Sequence, residues 1–377
     1  MNRRVALTLL LVLAAGAARA QKPELSFAGY AKSLALRGSS VVTGDSYFYD
    51  LSRLRIKALS DYGSLVHAEL WLDTELLYGS WLQTPDYSLA QRFAPATYFD
   101  LDAELASSEK SRLSQRLFRA FATLNIGEAQ ITFGRQRIAW GTGFVWNPTD
   151  LLNPTSPFAV EREEKNGVDA GYVFVPIDDN LRLEAAYAPA RDRDRQSYAG
   201  RLASSVGAYD FSLMAGRFRG DVVLGGDFAG YAGGAGLRGE LTWTQPRAGE
   251  AYLRAVLNWD NNFPGDYYVF VEYHFNGSGA ARSSEYDYTT LLDGSNFALA
   301  RHYLAVLFSK DLTPLISLSG YAIINLNDNS ALLGPSLLWS ARENLELSLS
   351  LYAFMGEKSS EMGAQKNAAF AQIQYFF

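Results

Sequence analysis

Leu345 to Phe354 alternates without a break: Leu345, Leu347, Leu349, Leu351 and Ala353 fall on one side, and Glu346, Ser348, Ser350, Tyr352 and Phe354 on the other. A period of two is the signature of a strand with unlike faces and is incompatible with a helical stripe. The same pattern recurs along the chain. It predicts strands over about 24–36, 46–60, 64–77, 115–126, 129–140, 167–176, 181–190, 198–205, 208–218, 221–230, 235–245, 251–259, 267–276, 298–310, 315–326, 331–340, 345–355 and 367–377. Many reach the nine to eleven residues that a tilted strand needs to cross a bilayer, where soluble strands average about five or six. The connections alternate in length. Tight turns at Asp61-Tyr62-Gly63, Gly127, Asp178-Asp179-Asn180, Asp311 to Pro314 and Ala341 to Asn344 are separated by long links at 78–114, 141–166, 277–297 and 356–366. Short turns at one end and long loops at the other are the pattern of an outer-membrane barrel, with the long loops facing outward. The expectation is an all-β antiparallel transmembrane barrel of about 18 strands. Sixteen is the alternative, because the glycine-rich stretch from Gly225 to Gly239 weakens its strands.

The N-terminus fixes the compartment. Arg3 and Arg4 precede an apolar run from Val5 to Ala15, and Ala18-Arg19-Ala20 closes the segment. This is a secretory signal peptide, cleaved after Ala20, whose apolar run is too short for a spanning helix. The expected organisation is therefore a signal over 1–20 and one barrel domain over 21–377, in the outer membrane of a Gram-negative envelope. A strand pattern starts within a few residues of Gln21, which leaves no room for the plug of an energy-coupled transporter. The chain has no cysteine, which excludes disulfides, thiolate metal sites and cysteine nucleophiles. Its formal charge is −6, and without the three signal arginines 31 basic residues face 40 acidic ones. An acidic mature chain argues against nucleic acid as a partner.

The last strand, Phe370 to Phe377, alternates and ends on Phe377 with Tyr375 two positions earlier. Here the chain resembles the bacterial outer-membrane β-barrel family, whose final strand ends in aromatic-x-Phe. The resemblance implies that Tyr375 and Phe377 form the signal read by the barrel-assembly machinery. The run from Phe133 to Pro154 is similar to one found in porin-like outer-membrane proteins, and names no substrate. Physically, a strand ends near Trp140, Gly141 and Gly143 permit a sharp bend, and Asn147-Pro148 supplies a cap and first position for a short turn of helix stopped by Pro154. Its residues Phe144, Trp146, Asn147, Asp150 and Leu151 are the candidate constriction. The apolar members need a surface, and the lumen supplies one.

Side-chain alternation also predicts the lumen wall. Leu54, Ile56 and Ala58 share a face, so Arg53, Arg55 and Lys57 face inward. On the next strand Val66, Ala68, Leu70 and Leu72 turn His67, Glu69, Asp73 and Glu75 inward. A three-residue turn that pairs Ser60 with Ser64 would set Lys57 against His67 and Arg55 against Glu69. Further candidates are Arg182, Glu184, Arg238, Glu240 and Arg254. Arg135 and Arg137 share a face with Ile131 and Phe133, a costly place for arginine if that face meets lipid. Either Gly134 marks a bulge that turns them inward, or the strand is leaving the membrane.

These features predict a porin-like channel for passive or weakly selective passage of small solutes, with no cofactor and no metal. Two rivals stand beside it. A hydrolase could be written around His67 with Glu69 or His274 with Glu272, although no nucleophile elbow or other catalytic signature is present. A partner-binding barrel would have a closed lumen and functional outer loops. The expected partners are outer-membrane lipid and lipopolysaccharide, the barrel-assembly machinery and small solutes, with a homo-oligomer left open.

Overall fold

The computed structural model describes residues 23–92, 97–161, 164–292 and 296–377, so the signal expected over 1–20 lies outside the described residues. The strands are β1 (Glu24–Ser39), β2 (Ser46–Tyr62), β3 (Val66–Gly79), β4 (Asp102–Ser107), β5 (Ser111–Ile126), β6 (Ala129–Gln136), β7 (Val168–Pro176), β8 (Leu181–Ala188), β9 (Ser197–Val206) and β10 (Tyr209–Phe218). They continue with β11 (Asp221–Ala232), β12 (Ala235–Gln245), β13 (Tyr252–Phe263), β14 (Tyr267–Asn276), β15 (His302–Thr313), β16 (Ile316–Asn325), β17 (Ser330–Arg342), β18 (Leu345–Met355) and β19 (Ala368–Phe376). All lie in one sheet, and β19 pairs antiparallel with both β18 and β1, which closes it. Since β3 pairs directly with β5 and β4 is registered only against β5, eighteen strands make the barrel, the larger of the two expected counts.

Why this sequence closes is visible in its two faces. Large apolar side chains, among them Leu54, Leu70, Phe133, Leu213, Leu241, Leu257, Leu349 and Ile373, are exposed on the outside. Buried positions on the same strands hold Arg55, Asp73, Thr132, Glu240, Asn258, Glu272 and Asn325. Apolar outside and polar inside is the reverse of a soluble β-sandwich and the arrangement of a membrane barrel. Exposed aromatics ring both ends. Tyr78, Tyr187, Tyr198 and Trp243 stand at the loop end, and Tyr231, Phe263, Trp339 and Tyr375 at the end that carries the termini.

The structure corrects three local expectations. The first concerns β6, which ends at Gln136 rather than near Trp140. Its alternation breaks at Gly134, where φ is 120° and an added Cβ would lie 2.2 Å from the Ala120 carbonyl oxygen. Phe133 stays on the outer face while Arg135 and Gln136 are both buried. Both explanations offered for the arginines therefore meet at one place: an irregular glycine, and a strand leaving the wall. With β6 gone, the upper edge of β5 would be open, and β4, inside a link expected to carry no strand, pairs with Arg112 to Arg116 and covers it.

The second correction is the β2–β3 register. Pairing continues to Tyr62 with Val66, so Ser60 meets Ala68 rather than Ser64. The turn is Gly63-Ser64-Leu65, with Gly63 in the left-handed region at φ 57°. The displacement is an even number of residues, so the polar faces still coincide. Only the partners change. Arg53 faces Glu75, Arg55 faces Asp73 and Lys57 faces Trp71, while His67 faces Asp61. The longer hairpin wins by adding ladder pairs and by placing each arginine against a carboxylate. The third correction is at Asn147. Its side chain caps as expected, accepting from the Asp150 N–H at 2.9 Å, but the segment makes an isolated turn and no helix.

Candidate conduction path

After Gln136 the chain does not return at once to the wall. Residues 137–161 and 164–167 enter the barrel and are fastened in turn to two regions of it. The first is β12 to β14, whose nearest strand lies six strands round from β6. Glu240 accepts from the Thr142 N–H at 2.5 Å, the Gly143 N–H, the Thr149 N–H at 3.0 Å and the Thr149 hydroxyl at 2.9 Å. Glu272 accepts from the N–H groups of Phe144, Val145 and Trp146 at 2.9, 3.1 and 2.8 Å, and from Asn258 Nδ2 at 3.3 Å. Loops carry backbone donors that no ladder satisfies, and burying them requires acceptors. Two wall carboxylates supply those acceptors. Gly141 at φ 86° and the close approach of Gly143 to the Trp146 carbonyl explain why this bend is written Gly-Thr-Gly. Trp146 is buried, stacked on His274 at 5.1 Å between ring centroids and packed against Tyr303 at 5.3 Å.

The loop then crosses to β1 and β2. Glu161 receives Lys32 Nζ and both terminal nitrogens of Arg53, the latter at 2.8 and 2.9 Å. Glu164 is paired with Arg55 and, at 2.9 Å, with Lys57. Burial by itself would push the Glu161 carboxyl up, but the charges of Arg53 and Lys32 and their hydrogen bonds bring it down to about 2. On the other side of the same arginines, Glu75 takes Arg53 at 2.6 Å and Asp73 takes Arg55 at 2.5 and 2.6 Å. Lys165 turns back to Asp150 at 2.6 Å and so ties the two halves of the loop together.

Two cavities flank this crossing. One, about 440 Å³, opens among the loop-end residues Arg195, Arg219, Asp221, Arg247 and Tyr252. The other, about 1420 Å³, extends to the end that carries the termini, with Ala28, Glu346, Phe376 and Phe377 on its wall. Phe144, Pro154, Thr155, Ser156, Lys165 and Phe297 line both. They mark the narrow place between the two spaces. Around the larger cavity the wall charges are unevenly spread: Lys32, Arg53, Arg55, Lys57 and Arg116 lie on β1, β2 and β5, while the adjoining β16 to β19 contribute Ser319, Ser336, Ser348, Ser350, Gln372 and Gln374 with one carboxylate, Glu346.

The candidate residues distribute unevenly over this path. Arg53, Arg55, Lys57, Asp73 and Glu75 come together as one network, and Phe144 stands at the junction of the cavities. Trp146, Asn147, Asp150 and Leu151 line the loop-end cavity, as does Arg254, which reaches Asn276 and Ser278. Arg182 and Arg201 meet Glu184, whose carboxylate also takes the Trp140 indole N–H at 2.6 Å; Arg238 pairs with Asp260. Arg135 is buried against Asp169 at 2.8 Å and the carbonyls of Leu117 and Phe99, whereas Arg137 is exposed. Both belong to the place where β6 leaves the wall. His67 and Glu69 sit near the terminus end, where His67 meets Asp61 at 2.7 Å and Glu69 at 3.0 Å. Tyr375 and Phe377 are exposed, Phe377 at the mouth of the larger cavity. Among the described residues no group of three His, Asp or Glu side chains is placed to hold a metal. His274 is bonded to the Ala255 carbonyl and His302 to Tyr273.

Lys32, Glu161 and Glu164 were missed. Lys32 shares the buried face of β1 with Tyr30, Leu34 and Leu36, so the contrast of apolar and polar faces that located the β2 cations does not single it out. The two glutamates carry no periodic signal, because a loop has no faces until it is docked.

No family model and no curated protein sequence matches the chain. Solved structures do match. Over 94% of this chain and 98% of the other, it superposes on the outer membrane protein OpdK of Pseudomonas aeruginosa with a TM-score of 0.59 at 10% identity. Pseudomonas aeruginosa OccK2 in complex with glucuronate gives 0.58 at 10% identity over the same shares. OpdK with vanillate gives 0.59, again at 10% identity, 94% and 98%. At such identities the likeness is one of fold: a closed porin-type barrel matched along nearly its whole length.

Proposed function

We propose that this protein is an outer-membrane channel that passes small polar solutes, with residues 137–167 as its constriction. The observation that carries the reading is the pair of cavities that reach opposite ends of the barrel and share six lining residues. A partner-binding barrel with a filled lumen needs no such path. Apolar outer faces between two aromatic rings place the barrel in a bilayer, and the long loops, by the usual asymmetry of such barrels, face the outside. The Phe377 backbone is bonded to Gly29 on β1 in both directions, at 2.8 and 3.1 Å. The terminal aromatics therefore sit at the closing seam, where assembly machinery reading Tyr375 and Phe377 would act. The fold neighbours solved with glucuronate and vanillate support small solutes as cargo. The channel works by positioning and exclusion, and the reading requires no catalytic step.

Refolded protein in planar bilayers is expected to conduct, and deletion of 143–158 to raise the single-channel conductance. A folded wild-type barrel without conductance would exclude the channel. A deletion variant that stays heat-modifiable on gels and conducts as before would exclude the constriction.

A further inference from the structure

Lys32 and Arg53 are cross-strand partners on β1 and β2, and Arg55 and Lys57 follow Arg53 on the inner face of β2. Inward residues of one strand lie about 6.5 to 7 Å apart, so these side chains form a row of cations beside the larger cavity. The wall gives that row two carboxylates, Glu75 on Arg53 and Asp73 on Arg55. Four cations against two anions leave an excess of two positive charges. Arg116 adds to it, being 3.8 and 3.7 Å from Asp73 and Glu75, which the row already uses. What balances the excess comes from the loop. Glu161 bridges Lys32 and Arg53, and Glu164 bridges Arg55 and Lys57, so two loop carboxylates take one successive pair each. The Glu161 contact to Arg53 uses both carboxylate oxygens against both terminal guanidinium nitrogens, the fork-to-fork geometry in which arginine holds any free carboxylate.

We infer that Glu161 and Glu164 are resident counter-ions: they occupy on the β1–β2 row the positions that a solute carboxylate would take, and so determine the charge selectivity of the pore. This rests on the channel reading above and deepens it. The row is the only part of the larger cavity's lining, among the described residues, where loop carboxylates meet wall cations. The adjoining strands β16 to β19 line the same cavity with neutral side chains apart from Glu346 near the terminus end. With both glutamates in place each of the four cations of the row has a carboxylate partner, and a passing anion must compete with a tethered carboxylate of high local concentration. Without them, Lys32 and Lys57 lose their carboxylate partners, and Arg53 and Arg55 keep only Glu75 and Asp73.

The test is Glu161→Gln with Glu164→Gln, which keeps side-chain volume and removes both charges. Reversal potentials across a salt gradient give the chloride-over-potassium permeability ratio. Two charges removed at about 10 Å from the permeating ion, at the dielectric constant of water, should raise it roughly fifteenfold, because chloride gains what potassium loses. Glucuronate, used as a probe carboxylate, should bind the detergent-solubilised double variant at least about tenfold tighter than wild type, with glucose unchanged in both. An unaltered permeability ratio together with unaltered glucuronate affinity would overturn the inference. Should neither protein conduct, the channel reading fails by itself, and the binding measurement still decides the inference. The single variants Glu161→Gln and Glu164→Gln, each keeping half of the pairs, should show intermediate values; they replace the double variant if that one loses heat-modifiability.

Discussion

Replacing Glu272 by alanine is expected to release the first half of the inward loop while leaving the barrel closed. The carboxylate lies on β14 and takes three consecutive backbone N–H groups, from Phe144, Val145 and Trp146. If the segment stayed in place without it, three buried donors would be orphaned at about 1–3 kcal/mol each, roughly 3–9 kcal/mol in all. Glu240 still holds Thr142, Gly143 and Thr149 on either side, and what holds residues 144–146 themselves is chiefly the burial of Trp146. A tryptophan hides about 150–250 Å², worth roughly 4–6 kcal/mol at 25 cal/mol/Å². That gain is already opposed by the ordering of the three residues, about 1–2 kcal/mol apiece. The balance turns against docking, so the chain should leave the wall rather than bear the orphans. The ladders of β14 with β13 and β15 involve no side chain and remain. Glu272→Gln keeps a carbonyl oxygen as acceptor and should restore part of the docking. Single-channel recording, with heat-modifiability as the check on folding, is the assay: conductance should rise in the order wild type, Gln, Ala, with noisier open levels in Ala. A folded alanine variant with wild-type conductance would refute the staple, and an equal effect of Gln and Ala would show that charge rather than acceptor capacity matters.

Three further outcomes are expected. Epitope tags near Ala106, in β4 at the loop end, and near Ser283 should be reached by antibody on intact cells; labelling only after the outer membrane is disrupted would invert the topology. Gly134→Ala should lower the yield of heat-modifiable barrel by a penalty of at least about 1–3 kcal/mol, because the residue is held at φ 120° with the Ala120 carbonyl 2.2 Å from the new Cβ; full folding would show that the β6 exit adapts. In the loop between β18 and β19, Glu361 accepts from Tyr303 at 2.7 Å and Asn325 at 2.8 Å while its N–H donates to Asp328 at 2.9 Å. Burial pushes its carboxyl up to about 7, with the Asp328 charge adding to the rise and the bonds from Tyr303 and Asn325 opposing it. A folded value above the unfolded one means that the closed loop binds more protons, so its stabilisation is full below about 4.5 and fades as pH rises through about 7. Trypsin cleavage at Lys358 and Lys366 should then accelerate from pH 5.5 to 8 relative to Glu361→Gln, and a constant ratio would remove Glu361 as the cause.

What the sequence by itself determined is whatever repeats. Period two assigned every barrel strand within a few residues, and alternating link lengths assigned the ends. The inward faces of β2 and β3 were legible because a side chain on a strand has only two directions. Even the wrong hairpin register left those faces right, since the error was an even number of residues. Tertiary structure decided what no local period encodes. Which carboxylate meets Arg55 depends on where a turn closes, and of two three-residue turns the one that adds strand pairs beyond Ser60 is formed. That β6 stops at Gln136 and β4 covers the edge it leaves depends on the loop having somewhere better to go. The path of 137–167, fastened at one end to Glu240 and Glu272 and at the other to the β1–β2 cations, depends on a closed barrel bringing these strands to face one another across the lumen. A loop's polar groups have no preferred partner until such a wall surrounds them, and for that reason Glu161 and Glu164, the residues that complete the site, were invisible in the chain.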